Sequence, residues 1–385
     1  MNKGKDLLKK NSMLIALLIV TLFFTWQTGG TLLVPQNVTN LIAQNGYVVV
    51  LAVGMLICII TGGNIDLSVG SIVALVGALA GTLIVTKGMN IWLSIIICLA
   101  VGILIGAWQG FWIAYIRIPA FIVTLAGMLL WRGVALIILD GLTISPFPAE
   151  YLNIFNSYIP DIFGGSINIL CILIGVMVCV IYIVLQVISL MNKKKRDNQT
   201  GPVSMILLRS AIICIVIMAA AFSMAYYKGI PAILILLAIV VVVYSYYTTK
   251  TVPGRYLYAM GGNEKAAKLS GINTNKVLFF SYVNMAFLSA VAALICVSRF
   301  NSAAPTTGTN YEMDAIGSCF IGGASAYGGT GSVSGVVIGA IFMGVINNGM
   351  SIMGIDTNVQ KVVKGAVLLA AVAFDVLSKR RRKSE

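Results

Sequence analysis

Histidine is absent from this chain of 385 residues, which removes the commonest metal ligand and the usual proton relay near neutral pH. Charge is scarce too. Asp, Glu, Lys and Arg together make up 10% of positions, where a soluble chain carries about a quarter. The seven cysteines (Cys58, Cys98, Cys171, Cys179, Cys214, Cys296 and Cys319) all fall in apolar stretches, and no CxxC spacing occurs. They read as buried small hydrophobes, with neither a disulfide nor a metal site implied. A nucleophile elbow, a phosphate-binding loop and a dinucleotide fingerprint are also missing. These absences argue against an enzyme, a cofactor and a bound metal.

Hydrophobic residues fill 59% of the chain. Runs of about 20 apolar residues recur from end to end, each long enough to cross a bilayer core. The fold class is therefore an all-α polytopic membrane protein, read as one transmembrane domain over 1–385. The first apolar stretch, Met13 to Trp26, follows a basic start with no small-residue cleavage site after it. It reads as a retained helix.

Charge placement sets the expected orientation. Lys3, Lys5, Lys9 and Lys10 lie in the N-terminal tail (1–12), and five cations from Lys379 to Lys383 lie in the C-terminal tail (379–385). Lys193 to Arg196 are consecutive, and five more cations fall between Lys250 and Lys276. None occurs from Gly133 to Asn192, where Asp140, Glu150 and Asp161 stand in a loop, 140–166, rich in Pro and aromatics. The positive-inside rule puts both tails, the Lys193 run and the 250–276 loop in the cytoplasm, and 140–166 outside. The net charge of +14 is then a topological signal, not a nucleic-acid footprint.

Spans are expected at 13–33, 41–61, 67–86, 91–115, 119–139, 167–190, 205–226, 231–249, 277–297, 333–353 and 360–378. That number is odd, whereas both tails read as cytoplasmic. A Gly-rich stretch at 312–328, carrying Glu312 and Asp314, supplies the missing crossing and brings the count to 12. A broken helix is tolerated in a membrane only where protein or a water-filled cavity covers its backbone, so this stretch reads as lining a pathway. Gly77/Gly81, Gly102/Gly106/Gly110 and Gly331/Gly335/Gly339 have the spacing of close helix packing. Trp108, Trp112 and Tyr115 read as an interfacial belt.

Polar residues within or beside the spans are the candidate pathway positions. Asn64, Asp66 and Ser68 stand at the head of the third span, where a helix cap is the plainer reading and a pathway border the functional one. Asn347 and Asn348 lie deep in an apolar run and need partners there. They suit either an interhelical hydrogen bond or a lining for a neutral, hydroxyl-rich solute. Among the polar interruptions, Gly262 to Gly271 is the most telling. Asn263 is a good N-cap, Glu264 sits on the favoured first turn, Ala266 and Ala267 propagate a helix, and Gly271 can end it. A bare connector needs no such caps, whereas a surface gripped by a partner does.

The run Gly262-Asn263-Glu264-x-Ala266-Ala267-x-x-Ser270-Gly271 resembles the cytoplasmic coupling motif of binding-protein-dependent ABC importer permeases. Gly62-Gly63-Asn64-Ile65-Asp66-Leu67-Ser68-Val69-Gly70-Ser71 is similar to the signature of ribose/xylose-type sugar permeases. So is the segment running from Tyr311-Glu312-Met313-Asp314 through Gly322-Gly323-Ala324-Ser325 to Asn347-Asn348-Gly349. The likeness covers roughly 35–165 and 230–378. Two departures stand out: an inserted pair of spans at 167–228, as in the xylose and multiple-monosaccharide branch, and the extra Asn64 between Gly-Gly and Ile-Asp.

The resemblance implies a 10-helix family core plus two inserted helices, in a bacterial plasma membrane. It further implies two permease copies as a homodimer, an extracytoplasmic sugar-binding protein and a cytoplasmic ABC ATPase. Gly262, Asn263, Glu264, Ala266, Ala267, Ser270 and Gly271 would couple to that ATPase. Asn64, Asp66, Ser68, Asp314, Ser325, Asn347 and Asn348 are the candidate pathway residues. The rival reading is an ion-coupled secondary transporter using Asp66 or Asp314; a structural membrane subunit is the third.

Overall fold

The computed structural model describes residues 12–165, 167–195 and 203–383, and these are mainly helical. Most of the N-terminal tail, Arg196 of the basic run, and Ser384 lie outside the described residues. The helices in chain order are α1 (Ser12–Gln27), α2 (Pro35–Gln44), α3 (Gly46–Ile60), α4 (Val69–Gly81), α5 (Ile91–Ala114), α6 (Ala120–Leu139), α7 (Ala149–Asn156) and α8 (Ile169–Lys195). They continue with α9 (Val203–Ala225), α10 (Ala232–Lys250), α11 (Val252–Gly262), α12 (Glu264–Leu269), α13 (Thr274–Phe300), α14 (Tyr311–Ile321), α15 (Val333–Ile352) and α16 (Thr357–Lys383).

Eight helical stretches among the described residues are long and apolar enough to cross a membrane. They answer to eight of the twelve expected spans. The other four differ for physical reasons. α1 has only 16 residues; the apolar part of α9 within the described residues is Ser210–Ala225; 312–328 is the 11-residue α14 followed by turns; and α16 carries Lys361, Lys364 and Asp375. The span expected at 41–61 starts earlier, at Pro35, whose fixed φ suits a first helical position. It is interrupted at Asn45, where the side-chain amide donates to the Leu41 carbonyl at 2.9 Å.

The core is built from α3, α4, α13, α14 and α15, which are buried along most of their length. α5 lies on α13 through the glycine stripe. A Cβ on Gly102 would come within 2.6 Å of Ala290, one on Gly106 within 2.6 Å of the Val283 backbone, and one on Gly110 within 2.9 Å of the Phe279 carbonyl. Without a hydrophobic driving force between helices in lipid, such backbone proximity is what holds them. The opposite faces of α5 and α6 turn Leu104, Phe121, Leu129 and Ile137 outward. α8 and α9 pair with each other and reach the rest through Cys171, Met224, Ala225 and Ile230 beside Ile42.

The 140–166 loop is tied down at specific points. Ile144 and Ala303 exchange two backbone hydrogen bonds at 2.9 Å. Tyr151 on α7 is fully buried and donates its hydroxyl to the Leu294 carbonyl at 2.8 Å. That anchor is a single side chain, hence invisible to a hydropathy reading.

Candidate functional site

The broken stretch is built around two facing glycines. A Cβ on Gly70 would lie 2.2 Å from the Gly308 carbonyl oxygen, and one on Gly308 would lie 2.0 Å from that of Gly70. The non-helical segment before α14 thus lies flat against the start of α4. α14 begins there, with Glu312 and Asp314 on its first turn, where the helix dipole favours negative charge.

Both carboxylates have cationic company that the sequence reading overlooked. Lys364 on α16 places its Nζ 2.9 Å from Asp314 Oδ1 and 3.1 Å from Oδ2. The Asp314 side chain is only 4% exposed. The Asn347 side chain on α15 acts on the same carboxylate. Glu312 lies in the field of Arg132, Asp314 and Lys364. Arg132, on α6, also donates to the carbonyls of Thr307 and Pro305 at 2.6 and 3.3 Å. Two cations and two anions make a neutral network that joins α6, α14 and α16. Lys364 shares α16 with Lys361 and Asp375, so nothing in the sequence singled it out as the partner of Asp314.

The second grouping surrounds the 62–68 turn. Asp66 is fully buried, and its Oδ1 accepts the Ser68 N–H at 2.8 Å and the Ser68 hydroxyl at 2.6 Å. Gln109 on α5 donates to Ser68 Oγ at 2.7 Å. This is the cap-like local closure, yet it does not exhaust the site. Asp66 Oδ2, Gln109 Oε1, Trp112 Nε1, Trp131 Nε1 and the Tyr282 hydroxyl are all buried without a protein partner. Buried polar atoms are costly when unpaired, and this set contains both donors and acceptors. Trp108 stacks edge-on to Trp131 at 5.4 Å and to Trp112 at 6.3 Å, which draws the expected interfacial belt into this cluster. Asn64 donates to Thr61 Oγ1 at 3.3 Å.

Asn348 and Ser325 stand elsewhere. Asn348 and Asn37 exchange two side-chain hydrogen bonds at 2.8 and 3.1 Å, fastening α15 to α2. Ser325 accepts the Tyr327 N–H at 3.1 Å in the turn after α14. That turn touches the start of the signature loop and α11 through Gly329 N–H to Ile60 O and Tyr258 Oη–H to Gly331 O, both 3.0 Å.

α12 forms where its caps place it. Asn263 Oδ1 accepts the Ala266 N–H at 3.0 Å, and Glu264 occupies the first turn. Gly271 has φ +84 and donates to the Lys268 carbonyl at 3.1 Å, a left-handed stop that glycine adopts freely. Ser270 Oγ caps the Ala266 carbonyl at 2.9 Å. Ala267 is buried toward the protein, while Leu269 is 90% exposed. The preceding helix α11 was not foreseen, although Thr251, which accepts the Gly254 N–H at 3.1 Å, and Pro253 mark its start.

Comparison with known proteins decides the family. Residues 37–372 match the family described as branched-chain amino acid transport system / permease component. The chain belongs to this family of transport permeases. It is 40% identical over 369 residues to the xylose transport system permease protein of Escherichia coli strain K12, covering 96% of this chain and 92% of that one. The xylose transport system permease protein of Haemophilus influenzae is 36% identical, with 96% of each covered. The ribose import permease protein of E. coli strain K12 is 33% identical over 340 residues, 88% of this chain and 85% of that one. No solved structure matches the chain.

Proposed function

We propose that this chain is the membrane-spanning subunit of an ATP-driven importer of monosaccharides, working by alternating access with a cytoplasmic ABC ATPase and an extracytoplasmic sugar-binding protein. The observation that carries the reading is α12, a doubly capped helix of six residues that leaves Leu269 90% exposed. An isolated helix that short is not self-supporting in water, so its caps serve a surface meant for a partner. Kinship with xylose and ribose permeases supplies the substrate class. Two copies form the pore in this proposal, with 12 crossings each and both termini in the cytoplasm of a bacterial cell.

The polar cluster at Asp66, Ser68 and Gln109 fits a neutral sugar. Its unpaired atoms include indole N–H groups as donors and carboxylate and amide oxygens as acceptors. A hydroxyl group answers both kinds. Of the two acids an ion-coupled transporter would use, Asp314 is already paired with Lys364, which leaves only Asp66, with its unpaired Oδ2, for that role. The test is purification of the permease with the products of its neighbouring genes. A co-purifying ATPase stimulated by sugar-loaded binding protein is expected; a permease that binds no ATPase overturns the proposal.

A further inference from the structure

Arg117 sits in the five-residue connection between α5 and α6 with φ +65, a left-handed conformation uncommon for a residue with a long side chain. Its guanidinium reaches three acceptors across the chain. Nη1 lies 2.7 Å from Glu264 Oε1, Nη2 donates to Thr274 Oγ1 at 3.2 Å, and Nη2 also donates to Asn275 Oδ1. Those acceptors belong to the first residue of α12 and the first two of α13. The planar fork of arginine suits such divided contacts, and a lysine point charge does not.

Around this clamp the packing is rigid on one side and open on the other. α5 is pressed backbone to backbone on α13 at Gly102, Gly106 and Gly110, and Tyr115 stacks near Phe279 at 5.6 Å. α12, in contrast, buries only Ala267. A push on so short a helix would rotate it about the Gly271 stop unless something held its N-terminal end. We infer that Arg117 is the positioning residue that fixes α12 to the α5–α13 unit, so that force applied to the coupling helix reaches Gln109 on α5 and Arg132 on α6. An exposed ion pair contributes little stability; its value here is directional. The inference rests on the importer reading of α12.

The test uses the permease reconstituted with its ATPase and binding protein, scoring sugar taken up per ATP hydrolysed. Arg117→Ala should lower that ratio about fivefold, within the range by which residues remote from ligands modulate coupling, while the ATPase still co-purifies. Arg117→Lys should recover only part of it. Should Arg117→Ala fail to accumulate, Arg117→Glu, Glu264→Arg and their combination are compared instead, and the combination should couple better than either single variant. An unchanged ratio in Arg117→Ala, loss of ATPase binding by that variant, or no recovery in the charge-swapped pair overturns the inference and leaves the importer reading standing. A wild-type permease that retains no ATPase removes both.

Discussion

Three side chains dominate at the scale of single residues: Asp314, Lys364 and Asn348. Breaking a buried ion pair strands a charge in a medium that cannot solvate it, at a cost of about 3–5 kcal/mol. Lys364→Met should therefore sharply lower the level of folded permease, since it leaves Asp314 at 4% exposure without its cation. Adding Asp314→Leu should restore much of that level, a double-mutant comparison read by detergent-extracted monodisperse protein. Equal levels for Lys364→Met and wild type would show the pair to be dispensable. Asn348→Leu removes both hydrogen bonds to Asn37 and should cost about 1–2 kcal/mol on the scale of interhelical hydrogen bonds in membranes. The expected readout is a lower midpoint of thermal unfolding; lowered transport at an unchanged midpoint would instead favour a role in the pathway. Asp66, Asp314 and the asparagines stood out in the sequence because each breaks an apolar run. Lys364, which pairs with Asp314, Gln109, which bonds Ser68, and Asn37, which bonds Asn348, did not, because pairing across 41 to 311 positions is set by packing alone.

Among the elements, the short ones carry the functional argument. α12 was legible because its caps are local: Asn263, Glu264 and Gly271 act within one turn of their own positions. The broken segment was legible in part, through its glycines and the parity of the spans, whereas the reciprocal fit of Gly70 and Gly308 was not. Gly271→Pro should uncouple ATP hydrolysis from uptake. Proline cannot take φ +84, and it lacks the N–H that now closes onto Lys268 O. The check is uptake at matched membrane levels, and wild-type uptake would reduce α12 to a solvated connector. Gly106→Leu should act differently, preventing assembly, because its side chain would collide with the Val283 backbone of α13. That outcome is read from membrane-inserted protein, and normal accumulation would mean that α5 and α13 can part without cost.

The molecule as a whole follows from hydropathy and charge, yet hydropathy alone does not count its crossings. Eight helices meet the length and apolarity of a span among the described residues. α14 and α16 fall short for opposite reasons, one being too short and the other too charged. The proposed orientation makes a direct prediction for the loop holding α7. A cysteine at Ser157 should react with an impermeant maleimide in intact cells, in a background freed of the native cysteines. Labelling only after the cells are opened would invert the topology and place α12 outside.

The claim on which the account turns is that ATP hydrolysed by a partner drives sugar through this chain. Proteoliposomes holding the permease and the ATPase, loaded inside with ATP and given binding protein with labelled xylose or ribose outside, measure it directly. With the ATPase facing the lumen, sugar should accumulate above its external concentration only when ATP is present, and it should continue when every ion gradient is dissipated. Accumulation that ignores ATP and collapses with a proton or sodium gradient would contradict the account and return Asp66 to the role of an ion site.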